Sequence, residues 1–481
     1  MARLTLKFGG TSVGSPEAIA QVAQIVSDQR RQGHQLAVVV SAMSGVTDQL
    51  LQAAAVAVAG DQAACQAINT DLLSRHEAVI NQLVGSPAAR DEALAAARGL
   101  LQQQLALCEA LRALGEASPR ITDAIVSFGE RLSSRVLAMT LRERGIDALQ
   151  VDSHACIVTD NNFQNAETLW EETEARIRRK LLPAFDAGRV LVITGFIGAT
   201  PDGTLTTLGR GGSDYSASIF AACLNSDELH IYTDVEGVMT TDPRLDPRAR
   251  VLPYVSYREI GELAFYGAKV LHPKTVQPIV NRGIPLRVRS TFNPAHTGTL
   301  IGGRTRPSAT VIKAVTCIRD VSMLTVSGRG MLGVPGIAGR TFLATAQAGA
   351  SILMISQSSS EQSFCFTVVD PLAPSVKVAV EAELRDEIQH NAIDSVDTRS
   401  DIVIITVVGS GMRGTPGVAG RVFSLLGERA INVLAIAQGS SECSISFVVS
   451  EADVERAVVE LHSLALETAE IDRANGQGSY C

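Results

Sequence analysis

Glycines stand beside charged side chains at two places in the sequence that suit an anion. At the first, Lys7 and the Gly9-Gly10 pair close a short alternating apolar run and precede Ser15 and Pro16. Serine followed by proline is typical of the N-cap and first position of a helix. A glycine turn that leads into a helix N-terminus collects backbone N–H groups and the positive end of the helix dipole, which suits phosphate. These residues alone leave open a β-turn with a solvated lysine.

The second place is the stretch TLGRGGSD, residues 207–214. It offers Arg210, three glycines and the Asp214 carboxylate directly before the helix-like residues 215–223. A capped helix needs neither the arginine nor the glycines, so the pattern favours a cradle for a phosphate or carboxylate over a plain turn. Neither stretch matches the P-loop pattern or the dinucleotide-binding fingerprint. The lack of the dinucleotide-binding fingerprint argues against a dehydrogenase.

Other polar positions are ambiguous on their residue types alone. Glu130, in SFGE, follows an apolar run, and an acidic residue in the first turn of a helix is the usual explanation. The loop YTDVEGVMTTDPR, residues 232–244, carries hydroxyls and acids that suit a ribose with phosphates or simply form two turns. Lys269 lies in a largely apolar stretch, where snorkelling explains a lysine as well as ligand contact does. His272, before Pro273, is interpreted as structural.

The elements that must position these residues alternate between strand and helix up to about residue 301. Strand signals stand at residues 4–8, 36–40, 190–194 and 228–233. The alternation predicts a mostly parallel sheet covered by helices on both faces. Ligands of such folds lie beyond the carboxyl ends of the strands, where the glycine-rich stretches fall. Residues 48–116, rich in Ala, Leu and Gln, predict two or three helices inserted beside the sheet.

A repeat follows residue 301. VSGRGMLGVPGIAGRTF, from Val326, matches VVGSGMRGTPGVAGRVF, from Val407, without a gap and at an offset of 81 residues (407 − 326). Gln357 and Gln438 occupy equivalent places in the two copies. Each copy predicts a strand, a glycine loop, a helix, a strand, a polar turn and a strand. Two copies are too few for a solenoid, so the sequence indicates a pseudo-symmetric pair of α+β units with related sites near the two glutamines.

Composition narrows the class of protein. A chain of 481 residues predicts about two to four domains. The net charge of −8, with acidic and basic residues interspersed, argues against a nucleic-acid or anionic-membrane partner. The sequence contains no leader-like start and no apolar run of membrane-spanning length. The eight cysteines are scattered singly, so we expect a cytoplasmic protein with neither a zinc site nor a disulfide scaffold, and no metal ligands are assigned.

The order of the motifs is more specific than any one of them. KFGGTS, SAMSGVT, SFGE, TLGRGGSD, YTDVEGVMTTDPR and FYGAKVLHP follow one another as in aspartate kinases, so nearly the whole chain resembles that family of the amino-acid-kinase fold. The repeat resembles the family's paired ACT regulatory domains, and it is most similar to those of bifunctional aspartokinase–homoserine dehydrogenases. Because the chain stops where the dehydrogenase would begin, a monofunctional enzyme is expected.

The resemblance implies an α/β domain whose mostly parallel sheet is sandwiched by helices, followed by two α+β ACT domains. The implied boundaries are 1–305 for the catalytic domain, 306–390 and 391–472 for ACT domains that can interleave, and 473–481 for a flexible tail. A homo-oligomer formed through the ACT domains is also implied.

The implied reaction transfers the γ-phosphoryl group of ATP, with Mg²⁺, to the β-carboxylate of L-aspartate. The product, 4-phospho-L-aspartate, opens the route to lysine, methionine, threonine and isoleucine. By the resemblance, Lys7 neutralises phosphoryl charge, Arg210 binds the α-carboxylate and Glu130 binds the α-ammonium group. The implied catalytic residues are Lys7, Arg210 and Asp214.

Further site positions are carried over from the family in the same way. The remaining substrate positions are Ser41, Thr47, Gly211, Gly212, Ser213 and Asp214. The nucleotide positions are Lys7, Phe8, Gly9, Gly10, Thr233, Asp234, Met239, Thr240, Thr241, Asp242, Pro243, Arg244 and Lys269. Many relatives have an aromatic residue in place of Met239. Gln357 and Gln438 are the effector positions, for threonine or, as the weaker alternative, lysine, because their counterparts in the bifunctional enzymes belong to threonine sites.

Two other functions share parts of this pattern. An acetylglutamate or glutamate kinase would share the fold, but neither is expected to carry SFGE together with TLGRGGSD and two ACT units. A non-catalytic amino-acid sensor with a degenerate kinase domain is a protein of a different class. The charged positions of a working kinase are intact, which argues against a sensor. They are Lys7, Glu130, Arg210 and Asp214.

Overall fold

The computed structural model of the protein describes residues 1–267, 271, 273–304, 310–332, 334–357 and 362–466. The described residues divide into two compact units. The first comprises Met1–Val238, Pro253–Tyr257 and Val270–Arg304, and the second comprises Met239–Leu252, Arg258–Lys269 and Thr305–Cys481, as far as these segments are described. Two short segments that precede residue 270 therefore belong to the second unit.

The first unit is built on a sheet of eight strands in its described residues, in the order β3-β4-β2-β1-β7-β9-β10-β8. Neighbouring strands are parallel except β9 and β10, and β5 pairs with β6 in a separate antiparallel hairpin. The elements are β1 (Arg3–Phe8), α1 (Pro16–Arg31), β2 (Gln35–Val40), α2 (Val46–Val58), α3 (Gln62–Leu83), α4 (Pro87–Leu114), α5 (Pro119–Glu143), β3 (Ala148–Val151), α6 (Trp170–Lys180), α7 (Leu182–Asp186), β4 (Val190–Thr194), β5 (Ile197–Ala199), β6 (Leu205–Thr207), α8 (Gly212–Cys223), β7 (Glu228–Thr233), β8 (Tyr254–Ser256), α9 (Tyr257–Phe265, which continues into the second unit), α10 (Pro273–Arg282), β9 (Leu286–Ser290) and β10 (Thr299–Gly302).

Helices cover both faces of this sheet. Side chains alternate along a strand, so Leu4, Leu6 and Phe8 of β1 share one face, and they pack in one core with apolar residues of α1 and α5. On the other face, α8 packs against β1, β2 and β7. The predicted layering, a mostly parallel sheet between helices, is confirmed.

The helical signals of the first unit fall largely where the sequence predicts them. Within residues 46–114, all of which are described, α2, α3 and α4 form the predicted insertion and pack on one another. Ser15 caps α1 by accepting a hydrogen bond from Ala18 N at 3.2 Å, with Pro16 at the first helical position. The helix predicted from residue 215 begins at Gly212 instead, so its first turn contains Asp214. None of the described helices combines the length and apolarity needed to cross a bilayer.

The second unit contains the repeat, and its sheet has six strands in the described residues, in the order β12-β13-β11-β14-β16-β15. Its elements are β11 (Ala314–Ser327), α11 (Ile337–Gln347), β12 (Met354–Gln357), β13 (Ser363–Val369), α12 (Ala373–Glu383), α13 (Arg385–Gln389), β14 (Ser395–Val408), α14 (Val418–Glu428), β15 (Ala435–Ala437), β16 (Ser444–Ser450) and α15 (Val454–Leu466).

At the centre of this sheet, the first segment of β11 is exchanged into the second repeat. The later part of β11 pairs with β13 and with the beginning of β14, whereas the beginning of β11 pairs with the end of β14. Ile312 and Val315 accordingly pack in the core of the second repeat, and Ile393 and Val396 pack in the core of the first. The second repeat is therefore completed by chain that precedes the first repeat, whereas the first repeat is completed by the beginning of β14, which follows it directly.

Candidate active site

A cavity of about 420 Å³ opens where β1 and β2 end, beside the start of α8. The loops after these strands, α5 and the loop before α8 all contribute to its wall. The predicted catalytic and substrate positions come together here. They are Lys7, Ser41, Thr47, Glu130, Arg210, Gly211, Gly212, Ser213 and Asp214, joined by Gly10 from the predicted nucleotide set.

The loops after β1 and β2 approach each other closely at Gly10. Ser44 N donates to Gly10 O at 3.1 Å, and Ser41 N donates to Phe8 O at 3.1 Å. A Cβ atom on Gly10 would lie 3.1 Å from Ala42 O, tighter than side-chain carbons normally pack against backbone. Glycine at this position therefore lets the two loops form one wall of the cavity.

Lys7 and Asp214 form an ion pair inside the cavity. Lys7 Nζ lies 2.6 Å from Asp214 Oδ1, and the two side chains are 10% and 17% exposed. Lys7 is the penultimate residue of β1, and Asp214 lies in the first turn of α8. The pair holds the ammonium group at the carboxyl edge of the sheet, where an arriving anion would meet it.

Glu130 lies in the interior of α5, so the first-turn position considered from the sequence is wrong. Its side chain is 3% exposed, and among the described residues Oε2 has no hydrogen-bond partner. Burial raises the pKa of the Glu130 carboxyl to about 8, although the backbone N–H of Ala42 and the charge of Lys7 act in the opposite direction. A buried carboxyl of this kind is suited to a ligand that brings its own positive charge.

Arg210 and the start of α8 form the opposite part of the wall. Arg210 is exposed, and the next residue, Gly211, is the N-cap of α8 with φ +71°, a left-handed conformation that favours glycine. Gly212 N donates to Gly209 O at 2.9 Å, and no side chain caps this helix end, so the backbone N–H groups of Ser213 and Asp214 have no side-chain cap. A cation and a helix N-terminus together suit a carboxylate or phosphate.

Asp123 positions this part of the wall, and the sequence analysis missed it. The residue is 1% exposed in α5, and its carboxylate accepts hydrogen bonds at 2.9 Å from Gln164 N, Thr207 N and Thr207 Oγ1. It thereby fixes the end of β6, from which the loop to Arg210 departs. An acidic residue within an apolar helical stretch was the available signal.

Part of the predicted nucleotide set lies on the neighbouring strand of the same unit. Thr233 ends β7, the strand next to β1, and its Oγ1 donates to Asp234 Oδ1 at 3.0 Å. Phe8 is fully buried and its ring stacks on Tyr232 at 4.7 Å between centroids, so its side chain packs the core. Gly9 N donates to Tyr232 O at 3.3 Å, which ties the glycine turn to β7.

The rest of the predicted nucleotide set belongs to the second unit. Met239–Arg244 lie within its segment Met239–Leu252, where Thr240 and Thr241 are buried. Arg244 Nη2 lies 2.6 Å from Asp242 Oδ2 in an exposed pair. Lys269 and His272 lie outside the described residues. Within the described ranges, no group of three or more His, Cys, Asp and Glu side chains is arranged to hold a metal ion.

Two known domain families match the sequence. A model of the amino acid kinase family matches residues 2–290, and a model of the ACT domain matches residues 324–384 and 405–464. The aspartokinase of Thermus thermophilus is 35% identical over 483 residues, which cover 98% of this chain and 100% of that protein. The chain belongs to the aspartokinase family.

Other aspartokinases are similar to the chain over most of its length. The bifunctional aspartokinase/homoserine dehydrogenase of Haemophilus influenzae is 35% identical over 469 residues, 95% of this chain but 56% of that protein. The chain thus spans about half the length of the bifunctional relatives it matches. E. coli aspartokinase III in complex with aspartate and ADP matches with a TM-score of 0.79 and 30% identity, over 96% of this chain and 100% of that one. The same enzyme in complex with lysine and aspartate matches with a TM-score of 0.78, 30% identity and coverages of 96% and 99%.

These matches confirm the predicted family, the α/β fold of the catalytic region and the ACT nature of the repeat. In this member of the aspartokinase family, the two glutamines of the repeat are exposed at equivalent places. Gln357 is the last residue of β12, and Gln438 directly follows β15.

Proposed function

We propose that the protein transfers the γ-phosphoryl group of ATP to the β-carboxylate of L-aspartate, giving 4-phospho-L-aspartate and ADP. The observation that carries the proposal is the set of charges around one cavity: a buried carboxyl, an exposed guanidinium and an ammonium group at its floor. E. coli aspartokinase III, which shares the fold, has been solved with aspartate and ADP.

Under this proposal, each charge binds one group of aspartate. The α-ammonium group supplies the positive partner that Glu130 Oε2 lacks, and Arg210 binds the α-carboxylate. Ser41, Thr47 and the start of α8, residues 211–213, then surround the rest of the substrate. The β-carboxylate is left to point toward Lys7.

The chemical step forms a bond from a β-carboxylate oxygen to the γ-phosphorus while the bond to the ADP oxygen breaks. Two anions must meet in this step, so catalysis consists mainly of positioning and neutralisation of charge. Lys7 provides a fixed positive charge at the meeting point, and Asp214 holds its ammonium group there. Mg²⁺ bound to the nucleotide phosphates would supply further neutralisation of the phosphate charge.

We further propose that Thr233, Asp234, the Met239–Arg244 loop and Lys269 contact the nucleotide, with residues 1–305 as the catalytic region and 306–390 and 391–472 as the ACT domains. The reaction is the first step toward lysine, methionine, threonine and isoleucine in the cytoplasm.

Regulation is proposed to come from an amino acid bound at Gln357 and Gln438, with threonine as the effector and lysine as the weaker alternative. A glutamine side chain offers both a donor and an acceptor without adding charge. The strands that bear the glutamines also expose Ile355 (44%) and Ile436 (46%), apolar surface that a second copy of the chain would cover. A homo-oligomer formed through the ACT domains follows from this proposal.

The test is an acyl-phosphate assay in which hydroxylamine traps the product. Purified protein is incubated with ATP and Mg²⁺ and with aspartate, glutamate or N-acetylglutamate in parallel. We expect hydroxamate from aspartate and little from the other two. Product from N-acetylglutamate or glutamate instead would assign another amino-acid kinase, and effector binding with no product from any substrate would assign a sensor.

A further inference from the structure

The segment 239–252 is part of the second repeat by its backbone contacts. Thr240 N donates to Arg250 O at 2.9 Å, and Met239 pairs with Val251, so the two ends of the segment form a short ladder. Val315 N, in β11, donates to Thr240 O at 2.8 Å. The start of the proposed nucleotide loop is thereby attached to the strand that completes the second repeat.

A buried chain of hydrogen bonds joins the same segment to α15. His462 is fully buried, its Nδ1 lies 2.7 Å from Asp246 Oδ2, and its Nε2 lies 2.8 Å from Thr240 Oγ1. Arg248 lies 2.7 Å from the same Asp246 oxygen and holds the pKa of that carboxyl well below its usual range, so Asp246 is an acceptor. Arg250 N donates to Thr240 Oγ1 at 2.9 Å.

The donors and acceptors of this chain balance in one arrangement. His462 donates through Nδ1–H to Asp246, which leaves Nε2 as the acceptor for the Thr240 hydroxyl. Thr240 Oγ1 in turn accepts from Arg250 N. Every polar atom of the imidazole is used, and the hydroxyl that begins the nucleotide loop is fixed by a residue of α15.

Two arginines and a leucine extend the attachment. Arg248 Nη2 donates to Val459 O at 3.2 Å, and Arg250 Nη2 donates to Leu466 O at 3.3 Å, both carbonyls belonging to α15. Leu245 packs against the apolar core of the second repeat. A change in the position of α15 must therefore be transmitted to the segment 239–252.

We infer that His462 is a positioning residue for ATP: it sets the position of the nucleotide loop Met239–Arg244 through Thr240 and gives the second repeat control over nucleotide affinity. The inference rests on the proposed function, in which this loop contacts the nucleotide. If His462 served only folding, its substitution would lower the stability of the protein and raise KM for ATP and KM for aspartate alike. If His462 positions the nucleotide loop, its substitution raises KM for ATP and leaves KM for aspartate nearly unchanged.

The experiment compares His462→Asn and Thr240→Val with His76→Asn, a control histidine that is equally buried in α3 and whose Nδ1 lies 2.6 Å from Leu72 O. Thr240→Val removes only the hydroxyl at nearly constant volume. Each of the two test variants should raise KM for ATP by about three- to tenfold and leave KM for aspartate within about twofold, as expected for one lost hydrogen bond. The double variant should be no worse than the poorer single variant, because both remove the same link.

Direct titration with ATP in the absence of aspartate separates this inference from the proposed function. Weaker ATP binding by the variants supports the inference even if no aspartyl phosphate forms. His462→Gln, whose amide can still meet Thr240, should recover part of the ATP affinity. Folded variants with unchanged ATP affinity, or with both KM values raised together, would overturn the inference. If His462→Asn fails to fold, His462→Gln decides, because Thr240 is itself a proposed nucleotide contact. Weaker ATP binding with an unchanged KM for aspartate would then support the inference, and unchanged ATP affinity would overturn it.

Discussion

Two buried glutamates, one in each unit, have opposite surroundings. Glu259, in α9, is 1% exposed; its Oε1 lies 2.9 Å from Lys313 Nζ and accepts from Ser410 N at 2.8 Å. Glu130 is 3% exposed, yet its Oε2 has no partner among the described residues and burial raises its pKa to about 8. The second unit pairs its buried glutamate internally, whereas the first unit leaves a buried carboxyl oxygen without a partner among the described residues. Under the proposed function, this contrast separates a residue that stabilises the fold from one that binds the substrate.

The largest expected effect is on stability, at the satisfied pair. Lys313→Met leaves Glu259 buried without its cation, which typically costs about 3–5 kcal/mol. Thermal and denaturant unfolding should show this loss, and Lys377→Met is the control, because Lys377 pairs with Glu381 at 3.7 Å on the surface. Adding Glu259→Gln to Lys313→Met should restore part of the loss. An unchanged unfolding midpoint for Lys313→Met would contradict the statement that the pair with Lys313 stabilises the buried Glu259.

The next effect is on catalysis. Lys7→Met keeps the side-chain length and removes the charge, so kcat should fall by about 10²–10³-fold, the usual cost of losing one preorganised group that stabilises developing charge. The unfolding midpoint should change less than in Lys313→Met, because Asp214 remains favourably placed in the first turn of α8. Lys180→Met is the control, since the side chain of Lys180 is exposed and donates to a backbone carbonyl, Ala155 O, at 2.8 Å. Near-normal kcat in Lys7→Met would make Lys7 an ordinary turn lysine.

A smaller effect is expected at Glu130. Here the substitution should raise thermal stability relative to the unmodified protein as the pH increases, whereas Lys313→Met lowers stability. Because the folded-state pKa of Glu130 is raised from 4.5 to about 8, its contribution to stability is complete below pH 4.5 and is lost as the pH rises toward 8. Glu130→Gln removes this titration, so its Tm relative to the unmodified protein should rise by about 2–4 °C between pH 5 and pH 8. The same variant should have a higher KM for aspartate. A Tm difference that is independent of pH would show that Glu130 is satisfied without a ligand.

The smallest effect concerns the two repeats. Gln357→Ala and Gln438→Ala should each relieve threonine inhibition by several-fold, within the usual allosteric coupling of about 1–3 kcal/mol, and leave uninhibited activity nearly intact. The relief should differ in size, because α9 already meets the second repeat near Gln438: Glu262 Oε2 accepts from Ser444 Oγ at 2.8 Å. Inhibition curves with threonine and with lysine measure this. Activity that ignores both amino acids at high millimolar levels would contradict the effector proposal.

The sequence predicts the sheet and the anion cradle because their signals are local. The strands at 190–194 and 228–233 have the predicted bounds, and Lys7 and Asp214 meet because both lie at the carboxyl edge. The apolar run before Glu130 is ambiguous between strand and helix at its length, and it proves to be part of the long helix α5. The link between Thr240 and His462 joins residues 222 positions apart, and no local pattern could predict it.

The exchanged strand segment bears on how the chain reaches its fold during synthesis. Thr316 pairs with Thr406, 90 residues later (406 − 316), so the first strand segment of the second repeat leaves the ribosome long before its partner. Until β14 is made, β11 presents an unpaired backbone edge, which is a template for pairing with other chains. The second repeat cannot complete its own sheet without the segment that precedes the first repeat, and such long-range contacts form slowly. A chain truncated near residue 390 would lose both repeats rather than one.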